Sequence, residues 1–387
     1  MLPSPTPPPD RLAPLPDSLR PLPDPLPDSL GPADEDSSLP VAVSLAVLSA
    51  MLVLGSLQFG FTPSSTPPKQ RLAKVFSAPT DDVLRCPVDG SALVSERTVV
   101  GSQVVRRLRT SAREYPVNEV YVDLLSTSGR TSPLTVDDLV GELRDAWESR
   151  TQTQMFRTPW LAFVYERGWR QQFRAAGFPG IDAEFAEVNE FFAPAAGGVV
   201  VDMSCGSGLM TRRLARSKAY GRLLAVDYSE SMLAETRRRC EQEKTPTDAL
   251  TLCRADVAQL PLATGSIDAM HAGAALHSWP RLEMGLAEIR RVLKPGGRFF
   301  ATTFVQGAYG VRAPGMMTGG GGSFRFFDST DELKQLMVDA GFDADGVDVR
   351  IEGRGCAIVK CVVPTEADIS EVDAEAEAEV VAEARLL

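Results

Sequence analysis

The sequence lacks both a disulfide framework and a strongly basic segment, and each absence excludes a class of protein. Its six cysteines do not follow the spacing of paired thiols, so we expect reduced thiols in an intracellular compartment rather than a secreted, cross-linked scaffold. The net charge is −11, but residues 1–40 contribute −5 and residues 366–387 contribute −7, so the body between them carries +1. A near-neutral body argues against a nucleic-acid-binding protein, because such proteins usually show a basic footprint.

The segment before residue 62 has little of what a folded core requires. Thirteen of the first 40 residues are proline, which favours a disordered tail with polyproline character. Residues 41–61 follow as an uncharged hydrophobic run that is long enough to span a bilayer as a helix. Alternatively, translation from Met51 would begin a stretch rich in Ser, Thr and Pro, without acidic residues through Thr80, which is typical of an organellar transit peptide. The sequence leaves these two interpretations open.

The region 84–125 contains one half of a metal-binding pattern. Cys86-Pro followed by a turn is typical of the first knuckle of a zinc ribbon, and a ribbon takes four ligands. Asp89 stands where a second cysteine would be needed, and no second cysteine pair occurs before Tyr115. We therefore predict a small, degenerate ribbon-like β module that holds no metal, followed by a linker helix at 126–153.

The stretch 199–227 organises the remainder of the chain. It predicts a buried strand, a glycine-rich turn, a helix and a second strand that ends on Asp227. Gly206 and Gly208 allow a sharp turn and the close approach of a ligand. Asp227 follows Gly206 by 21 residues, and a carboxylate at this spacing holds the ribose hydroxyls in nucleotide-binding βαβ units.

The neighbours of the turn indicate what kind of nucleotide it would hold. A glycine turn alone is weak evidence for a ligand. A dinucleotide fingerprint has a third glycine, and that position is Thr211 here. Asp202, directly before the turn, is expected either to fix the loop or to reach an ammonium group of the ligand. These features favour an adenosyl ligand with an amino-acid tail over a nicotinamide dinucleotide.

Strands and helices alternate through residues 154–363, which predicts an α/β fold. The last two strands, 347–351 and 356–362, have no helix between them and should pair antiparallel. The expected architecture is a Rossmann-like, seven-stranded, mostly parallel sheet with a C-terminal antiparallel hairpin, preceded by the small β module. The predicted segments are a Pro/Asp-rich tail (1–40), a hydrophobic targeting or transmembrane segment (41–61), a linker (62–83), the degenerate module (84–125), the linker helix (126–153), the α/β domain (154–363) and an acidic tail (364–387).

Five motifs of the α/β domain resemble, in order and spacing, those of class I S-adenosylmethionine-dependent methyltransferases, above all the ubiquinone/menaquinone-type branch. They are DMSCGSG at 202–208, VDYSESM at 226–232, ADV at 255–257, LPLATGSID at 260–268 and RVLKPGG at 291–297. Two further strings, YERGWR at 165–170 and HAGAALHSWP at 271–280, are similar to the plastid methyltransferases of plants and algae. That group carries a Cys-x-x-Cys ribbon before the catalytic domain, and this chain departs from it by keeping only Cys86.

The resemblance implies that S-adenosylmethionine is the cofactor and that it binds along the turn and the carboxylates beyond it. Asp227 would hold both ribose hydroxyls, and Met232 would pack near the adenine. Asp256 would accept from the adenine amino group, and Val257 would supply a backbone N–H. The residues implied to lie against the adenosine and methionine portions are Ser204, Cys205, Gly206 and Gly208, with Asp202 before them.

The only two histidines, His271 and His277, come just after the predicted fourth strand, at the sheet edge that faces the acceptor in this fold. We expect His277, or else His271, to orient the acceptor or to act as general base. A structural histidine bonded within the loop is the alternative. The string 165–170 is expected to pack within its helix or to fold over the cofactor as a lid.

The function that we expect is methyl transfer to a small, lipophilic plastid metabolite such as a prenylquinone. Residues 41–61 would associate the protein with a membrane or a lipid droplet, and neither a metal nor a nucleic acid is expected. One alternative is an RNA base methyltransferase, because some ribosomal RNA enzymes combine a zinc ribbon with this domain. Another is a non-catalytic, cofactor-binding scaffold protein.

Overall fold

The computed structural model describes residues 82–100, 103–126, 177–305, 325, 327–365 and 368. The predicted N-terminal tail, the hydrophobic segment, the linker helix, the string 165–170 and the acidic tail lie wholly or almost wholly outside these residues. Within the described ranges, no helix combines the length and the apolar character that crossing a membrane requires.

The described residues form eleven strands, five α-helices and two short 3-10 helices. The strands are β1 (Val94–Val100), β2 (Gln103–Arg109), β3 (Glu114–Val117), β4 (Val122–Asp123), β5 (Val199–Met203), β6 (Arg222–Asp227), β7 (Leu250–Arg254), β8 (Ile267–Ala272), β9 (Leu293–Phe304), β10 (Val347–Glu352) and β11 (Cys356–Val362). The α-helices are α1 (Ile181–Phe191), α2 (Leu209–Ser217), α3 (Glu230–Gln242), α4 (Leu282–Val292) and α5 (Thr330–Asp339), and the 3-10 helices are Ala193–Ala195 and Leu276–Ser278.

All eleven strands belong to one sheet, in the order β1-β2-β3-β4-β7-β6-β5-β8-β9-β11-β10. Neighbouring strands from β4 through β9 pair in parallel, whereas β9, β11 and β10 pair antiparallel. The predicted α/β class, the mostly parallel sheet and the closing hairpin are confirmed. The sheet has eleven strands rather than the predicted seven, because β1–β4 continue it beyond β7.

Local sequence signals explain where the helices begin and which face they bury. Ser229 caps α3, and its hydroxyl oxygen accepts a hydrogen bond from the backbone N–H of Met232 at 3.4 Å. Helix α4 buries Leu286, Ile289 and Val292, which recur at helical spacing and belong to the main core cluster. The parallel strands then end at one common edge, where the predicted site motifs lie.

Residues 84–125 contain the strands β1–β4, but the ribbon-like character predicted for this degenerate module is not confirmed. The thiol of Cys86 is buried and lies 3.1 Å from the hydroxyl oxygen of Tyr115. The Asp89 carboxylate accepts hydrogen bonds from the backbone N–H and the hydroxyl of Ser91. Among the residues that the structure describes, no three or more His, Cys, Asp and Glu side chains are grouped to hold a metal ion. The Cys86 thiol therefore contacts a tyrosine hydroxyl, and the strands β1–β4 of this region are part of the large sheet.

Candidate active site

The glycine turn between β5 and α2 has the tight backbone that the sequence predicts. Ser204 and Gly206 have φ values of 55° and 56°, and Gly208 has a φ of 78°. A Cβ atom added at Gly208 would lie 2.5 Å from the side chain of Thr236 on α3, so only glycine fits there. The Thr236 hydroxyl also donates to the carbonyl of Gly206 at 2.8 Å. Helix α3 thus fixes the turn from one side.

Cys205 lies within this turn and is buried. Its backbone N–H donates to the carbonyl of Val226 on β6 at 3.1 Å. Burial raises the pKa of the Cys205 thiol well above its usual value, and the charges of Asp227 and Asp202 act in the same direction. The thiol is therefore neutral, and the backbone N–H of Cys205 holds the turn against β6.

Asp227 ends β6 and faces the glycine turn, as the motif spacing predicts. One carboxylate oxygen accepts from the backbone N–H of Gly206 at 2.9 Å, and the other accepts from that of Ser229 at 2.8 Å. Burial raises the pKa of the Asp227 carboxyl to about 6, against the opposing effect of these hydrogen bonds. Its partners among the described residues are backbone N–H groups and not cations.

Asp256 and Val257 lie in the loop after β7, at the same edge of the sheet. The Asp256 carboxylate accepts from the backbone N–H of Ala258 at 2.9 Å and from the guanidinium of Arg281 at 2.6 Å. Its side chain remains 30% exposed, so part of the carboxylate stays accessible to a ligand. Val257 and Met232, the two apolar residues predicted near the adenine, are both buried.

Trp279 is a site residue that the sequence reasoning did not identify. Its indole N–H donates to the hydroxyl oxygen of Ser204 at 3.0 Å, and the ring is almost fully buried. The bond joins the loop after β8 to the glycine turn across 75 positions of sequence. A tryptophan directly after the predicted acceptor-facing loop was the available signal, but it did not specify a partner.

His271 lies on β8 with both ring nitrogens bonded to buried carboxylates. Its Nδ1 is 2.8 Å from an oxygen of Asp202 on β5, and its Nε2 is 3.1 Å from an oxygen of Glu184 on α1. Burial alone would lower the pKa of His271, but the hydrogen bonds and charges of the two carboxylates outweigh it and raise the pKa to about 9. The ring is therefore a cation at neutral pH, held between two anions.

Asp202 is buried near the end of β5, directly before the glycine turn. Its second oxygen accepts a hydrogen bond from the hydroxyl of Thr211, and the side chain is fully enclosed. Of the two roles that the sequence left open, the geometry favours fixing the loop over reaching an ammonium group. Thr211, which replaces the third glycine of a dinucleotide fingerprint, thus has a structural partner.

Glu184 is the second residue that sequence reasoning missed. It is buried on α1 and also lies 3.4 Å from the hydroxyl of Thr302 on β9. A Cβ atom added at Gly273 would come 2.9 Å from its carboxylate and 2.8 Å from the His271 ring, so this glycine leaves room for the pair. The signal was a glutamate on the buried face of an amphipathic helix.

His277 lies in the 3-10 helix after β8 and is buried in an aromatic setting. Its Nδ1 is 3.5 Å from the hydroxyl oxygen of Thr303, and its ring packs edge-on against Phe304 at 4.8 Å between centroids. Burial lowers the pKa of His277 to about 3, so the imidazole is uncharged at neutral pH. The two histidines therefore differ in charge and in partners, because His271 meets two carboxylates whereas His277 meets Thr303 and Phe304.

The residues at this edge fit S-adenosylmethionine. A carboxylate has about four acceptor positions, so Asp227 can accept from ribose hydroxyls beyond the two N–H groups that it already binds. No cation lies against Asp227 in the part of the chain that the structure describes, so its remaining acceptor positions suit the hydroxyls of a ribose. Asp202, Ser204, Cys205, Gly206 and Gly208 form or support the turn that would carry the remainder of the cofactor.

The comparisons with known proteins agree with this class of site. Residues 201–301 match the family model described as a methyltransferase domain. Residues 201–301 therefore form a methyltransferase domain, and the resemblance to methyltransferases that the motifs indicated is confirmed. The chain is similar to two uncharacterised chloroplastic methyltransferases of Arabidopsis thaliana, at 40% identity over 233 residues and 49% identity over 156 residues. It is also 36% identical over 107 residues to the 2-phytyl-1,4-naphtoquinone methyltransferase of Nostoc punctiforme.

The similarity covers parts of each protein. The two Arabidopsis alignments cover 58% and 40% of this chain and 62% and 44% of those proteins. The Nostoc alignment covers 27% of this chain and 46% of that protein. The chain thus spans about half the length of the curated relatives it matches.

Proposed function

We propose that the chain transfers the methyl group of S-adenosylmethionine to a small, lipophilic acceptor in the plastid. The observation that supports the cofactor half most directly is the position of Asp227. Its carboxylate ends β6, bonds the backbone of the glycine turn at Gly206, and has no cationic partner among the described residues. This is the arrangement that a ribose with two neighbouring hydroxyls requires.

The protein contributes orientation to this reaction. The chemistry that S-adenosylmethionine would supply when bound is transfer of its sulfonium methyl group to the acceptor atom, with S-adenosylhomocysteine as the leaving group. Proximity and orientation contribute up to about 7–11 kcal/mol to such a step. The turn at 204–208 holds the adenosine and methionine portions, and Asp227 fixes the ribose. Asp256 and the N–H of Val257 hold the adenine, with Met232 packed beside it.

Among the described residues, three rings cluster at the end of β9, and we take this cluster as the acceptor side of the site. Phe304 is the last residue of β9, and its ring centroid lies 4.7 Å from that of Phe178 and 4.8 Å from that of His277. Because burial keeps His277 neutral, the three rings carry no charge. An uncharged aromatic cluster favours an apolar acceptor, in agreement with the naphthoquinone-type substrate in the name of the Nostoc relative.

We assign different roles to the two histidines within this proposal. His277 lies beside Phe304 and is uncharged, so it orients the acceptor or accepts a hydrogen bond from it. His271 has both ring nitrogens engaged by carboxylates, so it supports the turn through Asp202. A plastid location is supported by the chloroplastic relatives, and residues 41–61 would act in targeting or in contact with a membrane or lipid droplet.

The test is a transfer assay with methyl-labelled S-adenosylmethionine, the full chain, and separated plastid lipids, plastid RNA and soluble metabolites. Label should enter the lipid fraction with the wild type and with Asp248→Asn, an exposed aspartate before β7. Asp227→Ala should transfer little or none. Label in RNA would contradict the proposal in favour of an RNA base methyltransferase. Cofactor binding without label in any fraction would contradict it in favour of a scaffold protein.

A further inference from the structure

The loop 255–263 carries the proposed adenine-binding residues Asp256 and Val257. Its C-terminal end is bonded to the module formed by residues 82–126, which contains the strands β1–β4. The backbone N–H of Arg85 donates to the carbonyl of Pro261 at 2.9 Å. The backbone N–H of Ala263 donates to the carbonyl of Val83 at 2.8 Å. Two backbone bonds in opposite directions therefore fix where this loop ends.

The near end of the same loop is held by β4. This strand pairs in parallel with β7, and the N–H of Leu124 donates to the carbonyl of Arg254 at 2.9 Å. The Asp123 carboxylate lies 3.0 Å from the Arg254 guanidinium, and the two side chains are only 12% and 10% exposed. Removing the cation of such a buried pair is strongly unfavourable for the carboxylate that remains, so Arg254 stabilises the position of Asp123.

Arg254 continues this contact to the residues around Asp227. Its Nε donates to the carbonyl of Tyr228 at 3.2 Å, and its Nη1 lies 2.7 Å from a carboxylate oxygen of Glu230. Tyr228 is the residue between Asp227 and the cap of α3. A guanidinium is a rigid, planar fork. A change in the position of Asp123 should therefore shift the Arg254 guanidinium, which also bonds the Tyr228 carbonyl.

We infer that Asp123 is a positioning residue of the cofactor site, acting through Arg254, and that the 82–126 module is a structural part of this site. The inference rests on the proposed function, because it assumes that the loop 255–263 and Asp227 bind the adenosine portion. In the intact protein, the module holds both ends of that loop and, through Arg254, the backbone beside Asp227. Weakening this contact should therefore lower the affinity for adenosyl ligands.

The experiment is calorimetric titration of S-adenosylhomocysteine into the full chain. Asp123→Asn removes the charge that faces Arg254, and Arg254→Lys keeps a charge but loses the fork. Each should weaken binding by about tenfold, equivalent to about 1.4 kcal/mol. The matched control is Glu114→Gln on β3, whose carboxylate pairs with Arg107 at the surface of the same module, and its affinity should equal that of the wild type.

A second ligand separates positioning from a general loss of structure. The analogue with hypoxanthine in place of adenine, S-inosylhomocysteine, lacks the amino group that Asp256 would accept. The wild type should prefer the adenine compound, and Asp123→Asn should lose much of this preference because its loop 255–263 is less well fixed. Weaker binding with an unchanged preference would assign Asp123 a merely structural role and overturn the inference.

The remaining outcomes are distinguishable. If the folded wild type does not bind S-adenosylhomocysteine, the proposed function fails, and this inference fails with it. If the wild type binds and both variants bind as tightly as the wild type, the inference alone is overturned. If thermal unfolding shows that Asp123→Asn is not folded, Arg254→Lys decides by the same two measurements.

Discussion

Asp202 and His271 occupy paired positions on the neighbouring parallel strands β5 and β8, and a carboxylate oxygen of Asp202 lies 2.8 Å from Nδ1 of His271. Since the other ring nitrogen meets Glu184 on α1, one cationic ring joins β5, β8 and α1, and β5 leads directly into the glycine turn. The turn proposed to carry the cofactor is thus supported by a buried network with two negative charges and one positive charge.

Removing the ring should destabilise the protein strongly. In His271→Ala, Asp202 and Glu184 would remain buried without the cation that lies between them. We expect the free energy of unfolding to fall by about 3–5 kcal/mol, as when one partner of a buried pair is removed. The measurement is urea denaturation of the full chain.

The matched control for that loss is Asp182→Asn on the same helix. Its carboxylate pairs with Arg213 but is 74% exposed, so the loss should stay below about 1 kcal/mol. Equal losses in the two variants would contradict the assigned role of the His271 network.

The same network predicts how stability depends on pH. The pKa of His271 rises from 6.5 to about 9 on folding, so the folded protein holds this proton more tightly than the unfolded chain. The stabilisation is fully present below pH 6.5 and is lost as the pH rises through about 9, at up to about 1.4 kcal/mol per pH unit. Denaturation curves between pH 6.5 and 9.5 should show this decline in the wild type and not in His271→Ala, and parallel profiles would refute it.

Cofactor affinity should depend on pH through Asp227. Burial raises the pKa of this carboxyl to about 6, and the ribose hydroxyls require the ionised form as acceptor. Below pH 6 the proton must leave before binding, so affinity should fall by about tenfold per pH unit. Titrations of S-adenosylhomocysteine between pH 7.5 and 5 would measure this. Asp227→Asn should bind weakly and with no such slope, and a level wild-type profile would count against the assignment.

Gly208 should tolerate no side chain. Gly208→Ala combines a left-handed backbone, which costs an L-residue about 1–2 kcal/mol, with a Cβ atom 2.5 Å from Thr236. Gly265→Ala is the control, because its φ is also positive but nothing lies within 4 Å of the added atom. We expect a small loss of stability for Gly265→Ala with unchanged cofactor affinity, and at least about tenfold weaker binding for Gly208→Ala. Indistinguishable variants would show that backbone strain alone matters at Gly208.

The parts of the site that the sequence predicted are those with local signals. The spacing from Gly206 to Asp227 belongs to one βαβ unit, and Ser229 is a capping residue directly before the helix that it caps. Each prediction depends on residues that are close together in the sequence, within one βαβ unit or at the start of one helix. Asp227 consequently lies at the predicted strand end, with the turn bonded to it.

The missed parts depend on contacts between distant segments. Glu184 meets His271 across 87 positions, and Asp123 meets Arg254 across 131 positions. Neither glutamate nor aspartate has a local pattern that specifies such a partner. For the same reason, the sequence did not show that the short strand β4 pairs with β7, since two residues in parallel pairing leave no periodic signal.

The most direct measurement is calorimetric titration of S-adenosylmethionine into the full chain, its Asp227→Ala variant and the exposed control Asp248→Asn. The account predicts saturable binding by the wild type and the control, and binding weaker by at least about tenfold, or about 1.4 kcal/mol, in Asp227→Ala. Absence of binding by the folded wild type, or equal affinity in Asp227→Ala, would contradict the assignment of this edge of the sheet as the cofactor site.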